Sequence, residues 1–169
     1  SPGEDIAIVV DSDNDLWVSC GTAAKILYAG SVAGAWSTAL SLTSGDVFQE
    51  VIKNDTLWLA IGSNINTWSL LLYSSSNGQV WISIANSGIN AEGNTNWRPR
   101  ALAWTHYNFL VHTAVNFGSY HKSQDTLTWT SVALVANIHR QIADAVFADN
   151  DDYEFFDATN HYAKTISFH

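Results

Sequence analysis

YSSSNGQVWISI, residues 73–84, passes from a tyrosine through a polar turn to a tryptophan. Its central part, SSNGQVW, is matched 48 residues later by SQDTLTW, so that Ser75, Asn77 and Trp81 correspond to Ser123, Asp125 and Trp129. Both stretches read Ser-x-(Asn/Asp)-x-x-x-Trp. A looser copy, GSVAGAW at residues 30–36, keeps Trp36 and a glycine-rich turn but has Val32 where the acid or amide belongs. The third copy carries Thr126 at the place of Gly78. Trp36, Trp81 and Trp129 lie 45 and then 48 residues apart, a spacing in the range where internal periods signal stacked structural units.

Working outward from these turns, an apolar run of strand character stands roughly 20 residues before each tryptophan: DLWVSCG, TLWLAIG and NFLVHTA, with DYEFFDA in the same phase near the C-terminus. Four units follow, at about residues 4–42, 46–87, 97–136 and 140–169. Each divides into short strands, for example VFQEVIK, TLWLAIG, LLLYSSS and QVWISIA in the second. The first and second strands are joined by DSDND, KND, THYN and DNDD, rich in residues that bond their own backbone in tight turns. β-Branched and aromatic residues abound and no long stretch has a 3.6-residue period, so an all-β chain is expected. A period of this length made of four antiparallel strands predicts a small β-propeller. The fourth unit has no tryptophan strand. The ring is therefore expected to be incomplete, or open and completed by a partner chain. WD40 and kelch signatures are absent at the needed phase.

The 169 residues fit one domain, expected to span 1–169. Nearly half are apolar, 47%, which excludes disorder because there is ample surface to bury against chain entropy. Sixteen acidic residues against seven basic ones leave a formal charge of −9, a field that repels phosphate backbones and anionic lipid, so neither nucleic acid nor membrane is an expected partner. No apolar run approaches the roughly 18 residues that span a bilayer. Cys20 is the single cysteine, which excludes an intrachain disulfide and reads as a small core residue. With no methionine, even at position 1, the chain is expected to be a processed or trimmed product.

The Ser-x-(Asn/Asp)-x-x-x-Trp turns resemble the Asp-box, or BNR repeat, of sialidase-like propellers, and TLWLAIGS…LLYSSSNGQVWISI is similar to repeats in bacteriophage tail, fibre and other virion proteins and in some bacterial surface proteins. The resemblance implies that Ser75, Asn77, Trp81, Ser123, Asp125 and Trp129 are structural: the side-chain oxygens of Asn77 and Asp125 accept backbone N–H bonds, the serines close the loop, and the indoles pack between neighbouring units. It implies a virion or extracellular location. A sialidase would need a cluster of arginines, and only Arg98, Arg100 and Arg140 are available.

The candidate binding stretch is NTNWRPR, residues 94–100. It puts the aromatic plate of Trp97 beside Arg98 and Arg100 in the longest insertion, a composition typical of interaction hot spots or sugar-stacking sites. Trp68 is a second tryptophan outside the repeat phase. Asp11, Asp13 and Asp15 have the spacing that opens a calcium loop, but Leu16 replaces its glycine, and a solvated turn is the simpler reading. Asp149, Asn150, Asp151 and Asp152 share that phase. The histidines are scattered, although His112 and His121 could face one another across a hairpin. Asn54 opens an acceptor triplet for glycosylation. No cofactor is implied. The expected function is a non-enzymatic structural or binding module of a phage or virus particle that mediates protein–protein or surface attachment. Self-association or a protein partner at the unfinished fourth unit is expected; a carbohydrate-binding lectin is the alternative, and a glycosidase a more distant one.

Overall fold

In a computed structural model the described residues form fifteen strands in four separate antiparallel sheets, and none of them is helical. The structure describes residues 5–21, 24–31, 33–67, 69–84, 89, 99–105, 107–113, 119–133, 142–148, 152–157 and 163–167. The first sheet contains β1 (Asp5–Asp11), β2 (Leu16–Gly21), β3 (Lys25–Ala29) and β4 (Ser37–Ser41). The second contains β5 (Asp46–Lys53), β6 (Trp58–Asn64), β7 (Leu70–Ser75) and β8 (Ile82–Ser83). The third contains β9 (Pro99–Trp104), β10 (Phe109–Thr113), β11 (Ser119–Ser123) and β12 (Thr130–Ala133). The fourth has three strands, β13 (Ile142–Ala148), β14 (Asp152–Asp157) and β15 (Ala163–Ser167). Within every sheet the strands pair in chain order. The chain divides into two compact units, Ser1–Ala85 and Asn86–His169, with two sheets in each.

The repeat extends to backbone irregularities. In each sheet the first strand carries one extra residue that opposes no partner: Ile6 between Asp5 and Ala7, Gln49 between Phe48 and Glu50, Arg100 between Pro99 and Ala101, and Ala143 between Ile142 and Asp144. Each such bulge bends its strand and strengthens the local twist. Five residues after each bulge stands the residue that opens the first hairpin: Asp11, Asn54, Thr105 and Ala148. Three of these four use a side-chain oxygen to hold the turn. Asp11 Oδ1 accepts from Asp13 N at 3.2 Å, Asn54 Oδ1 from Thr56 N and Leu57 N at 2.9 and 2.6 Å, and Thr105 Oγ1 from Tyr107 N and Asn108 N at 3.1 and 2.7 Å. In sheets two and three the hairpin closes over two residues, whereas DSDND makes the first longer.

The unit Ser1–Ala85 has its core between its two sheets. Leu16, Val18, Cys20 and Ile26 from the first meet Phe48, Val51, Trp58, Ala60 and Trp81 from the second, with Ala7, Val9, Tyr28 and Tyr73 at the margin. Alternation along β1 sends Ala7 and Val9 into this core and leaves Ile8 and Val10 exposed. Cys20 is fully buried as a free thiol. Asp11 faces Lys53 Nζ at 3.5 Å, and the same ammonium lies 5.9 Å above the ring of Trp58. In the other unit Trp104 leans on Phe109 at a ring separation of 4.5 Å.

Candidate functional site

The turns after β7 and β11 are built alike. Ser75 Oγ accepts from Asn77 N and Gly78 N and donates to Asn77 Oδ1, while Asn77 Oδ1 accepts from Gln79 N and Val80 N at 3.0 and 2.9 Å. Asp125 Oδ1 likewise takes Ser123 Oγ, Leu127 N and Thr128 N at 3.0, 2.8 and 2.9 Å. Each turn is locked by its tryptophan: Trp81 Nε1 donates to Gly78 O, and Trp129 Nε1 to Thr126 O, both at 3.0 Å. One face of the indole can then be buried without an orphaned N–H. The Thr128 amide foremost, then the Leu127 amide, the Ser123 hydroxyl and its own backbone amide, hold the Asp125 carboxyl below the ordinary aspartate range.

Register shows which residue of the first sheet answers to the box serine. Trp58 pairs with Ser75 and Phe109 with Ser123, and the corresponding pair in the first sheet is Trp17 with Ala29. The equivalent position is therefore Ala29, one residue before the Gly30 at which the sequence alignment starts. With no hydroxyl there, the first turn closes instead through Gly34 N to Ser31 O at 3.0 Å.

Beside the third sheet's box turn lies a hollow of about 310 Å³. Lys122 and Thr130, opposite each other on β11 and β12, line it with Asn108, Gln124, Asp125 and Thr128, and Ser123 forms part of its wall. Sequence reasoning singled out Ser123 and Asp125 but missed the other five. The signal was available in the comparison of the two box turns, because the flanking residues change character while the box itself is retained.

Of the binding candidates, Arg100 is the bulged residue of β9, while Trp68, Trp97 and Arg98 lie outside the described residues. Asp11 has its oxygens occupied by Asp13 N, Asn14 Nδ2 and Lys53, and the Asn14 amide leads in holding its carboxyl below the usual range. Asp13 and Asp15 are exposed turn residues. Among the described residues no three His, Cys, Asp or Glu side chains are grouped to hold a metal ion. Asp152 opens β14; Asp149, Asn150 and Asp151 lie outside the described residues, as do Arg140, His106, His139, His161 and His169. The expected facing of His112 and His121 does not occur. Val111 opposes the buried His121, and His112 pairs with Ala101 on the other neighbouring strand.

No family model and no curated protein matches the chain. Solved structures do. The WD40 domain of Neurospora crassa Pan2 superposes with a TM-score of 0.62 at 13% identity, over 98% of this chain and 50% of that one. YCF48 from Cyanidioschyzon merolae gives 0.63 at 10%, over 98% and 57%. The β-propeller domain of Myceliophteria thermophila Cps50 (Swd1) gives 0.60 at 10%, over 91% and 49%. The fold is that of a β-propeller. The chain spans about half the length of the propellers it matches; among the described residues its sheets are blades, three with four strands and one with three.

Proposed function

We propose that this propeller is a non-enzymatic protein-interaction module whose unfinished fourth blade receives a partner, in the first instance a second copy of the chain. The observation that carries this reading is that, among the described residues, β15 pairs with β14 alone, whereas each of the other blades has a fourth strand. A strand edge presents a row of unpaired N–H and C=O groups, which is the template for strand addition. A structure described as YCF48 bound to D1 peptide superposes at a TM-score of 0.56 with 14% identity, which supports peptide capture as a use to which such a scaffold is suited. The likeness of the two box turns to Asp-boxes supports placement in a virus particle or on a cell surface.

Light scattering on the eluting protein tests the reading. A mass above the 18.5 kDa of one chain is expected. Lys164→Pro and Thr165→Pro each remove one backbone donor of β15, and consecutive residues alternate in direction. One of the two should therefore lower the mass without disturbing the pairing to β14. A strictly monomeric protein at about 100 μM, a concentration that would reveal even weak association, overturns self-association; turnover of aryl glycosides overturns the non-enzymatic assignment.

A further inference from the structure

The hollow beside the third blade's box turn differs in a consistent way from the same place on the second blade. Register and turn position match Asn108 with Leu57, Lys122 with Ser74, Gln124 with Ser76, Asp125 with Asn77, Thr128 with Val80 and Thr130 with Ile82. The scaffold serine is retained as Ser123 for Ser75. Three apolar positions have become hydrogen-bonding ones, and a cation and an anion have been added. On the second blade Val80 and Ile82 are 64% and 68% exposed, so the turn does not need polar residues there in order to fold. Thr128 and Thr130, and Lys122 in place of Ser74, are surplus to the architecture, while Asp125 keeps the turn-holding role of Asn77 and adds a charge.

We propose that this hollow is a binding site for a neutral, polyhydroxylated ligand, a single hexose unit of a saccharide. Lys122 and Asp125 both line this space, and one positive and one negative side chain leave it with no net formal charge, which removes the preference for an ion of either sign. What remains is a mixed set of donors and acceptors: two amides, two threonine hydroxyls, one ammonium and one carboxylate. Vicinal sugar hydroxyls match such a set because each donates and accepts at once. Asp125 Oδ1 is committed to the turn by three donors, so the carboxylate is held rigid while its other oxygen remains directed by the same geometry. About 310 Å³ lies at the small end of ligand sites and suits one ring. None of the lining residues is aromatic, so there is no stacking platform, and affinity should be millimolar, as expected for a ligand of about a dozen heavy atoms at ordinary efficiency.

The test is a titration of the isotopically labelled 169-residue chain with D-glucose, D-galactose and D-mannose, each to about 50 mM, and with acetate as an anion control. Saturable shifts in the amides of Gln124 to Thr130 are expected with at least one hexose, at a dissociation constant of about 1–10 mM. Lys122→Ser combined with Thr130→Ile installs the second blade's residues, so the blade should fold, and it should weaken binding more than tenfold. Asp125→Asn, which the Asn77 turn shows to be structurally acceptable, should weaken it severalfold. No perturbation by any hexose, equal shifts with acetate, or unchanged affinity in the double variant would each overturn the site. Proline in β15 should leave hexose binding unaltered, which separates this site from the strand-docking edge.

Discussion

Gly78 and Thr126 hold the same place in their turns, with φ of +70° and +64°, yet they tolerate change differently. A methyl added at Gly78 would stand 2.7 Å from Leu16 Cδ2 and 3.0 Å from Val18 Cγ2, inside the core between two blades. Gly78→Ala should therefore combine left-handed strain with overpacking, and a loss of about 2–4 kcal/mol is expected in chemical denaturation. Thr126 already bears that strain as a β-branched residue. Thr126→Gly should fall within about 1 kcal/mol of the parent, since relief of strain opposes lost burial. Equal losses at both sites would show that the two turns are not equivalent. The neighbouring Asp125 adds a pH dependence. Because its folded carboxyl is held below the unfolded value of about 3.9, its contribution is complete above that value and is lost as pH falls through the folded pKa. Asp125→Asn keeps an acceptor for the same donors but cannot titrate. The stability difference between parent and variant should shrink between about pH 6 and pH 3; a constant difference over that range would assign the turn's strength to geometry alone.

At the scale of the strand, the bulge five residues before each first hairpin looks like a demand for glycine opposite it, and Gly21 and Gly62 do stand there. Thr113 and Asp157 occupy that place in the other two blades, so the bulge itself makes no such demand. Gly62 is required for a local reason: an added Cβ would collide with the carbonyl oxygen of Val47 and come within 3.0 Å of Phe48 Cα. Gly62→Ala should lower the denaturation midpoint by an amount equivalent to about 1–3 kcal/mol, through displacement of β5 from β6. An unchanged midpoint would mean that the strand shifts freely at this point. The elements themselves were legible in the chain, because alternating apolar runs and Asp- or Asn-rich turns mark strands and hairpins directly. Bulges were not, since an extra unpaired residue such as Gln49 leaves no mark on composition or period. The same blindness shifted the first turn by one residue: matching Trp36 to the later tryptophans sets Gly30 against Ser75 and Ser123, whereas only the pairing of Trp17 with Ala29 reveals the longer loop. It also allowed His112 to face His121, whereas the residue opposite His121 is Val111, one position earlier.

For the whole chain, the period set by Trp36, Trp81 and Trp129 was sufficient to indicate a propeller built of blades, since a single blade cannot bury both faces and must stack. Six of the seven residues that line the polar hollow lie between 122 and 130, but a repeat marks the positions its copies share, and the hollow is made by those at which they differ. Charge is the one global property readable without any coordinates, and it has a consequence for stability. A formal charge of −9, from 16 acidic and 7 basic residues, makes self-repulsion greater in the compact state than in the expanded one. Screening shortens from about 30 Å at 0.01 M salt to about 10 Å at 0.1 M, less than the width of a blade. Sodium chloride should therefore raise the melting temperature between these concentrations, with most of the gain complete by about 0.15 M. The Asp11–Lys53 pair works in the opposite direction, but among the described residues it is a single contact with Asp11 only 5% exposed, and salt screens such a pair weakly. Differential scanning across that salt series measures the balance: a flat or falling melting temperature would mean that favourable pairs of this kind, rather than net repulsion, dominate the field of the folded chain.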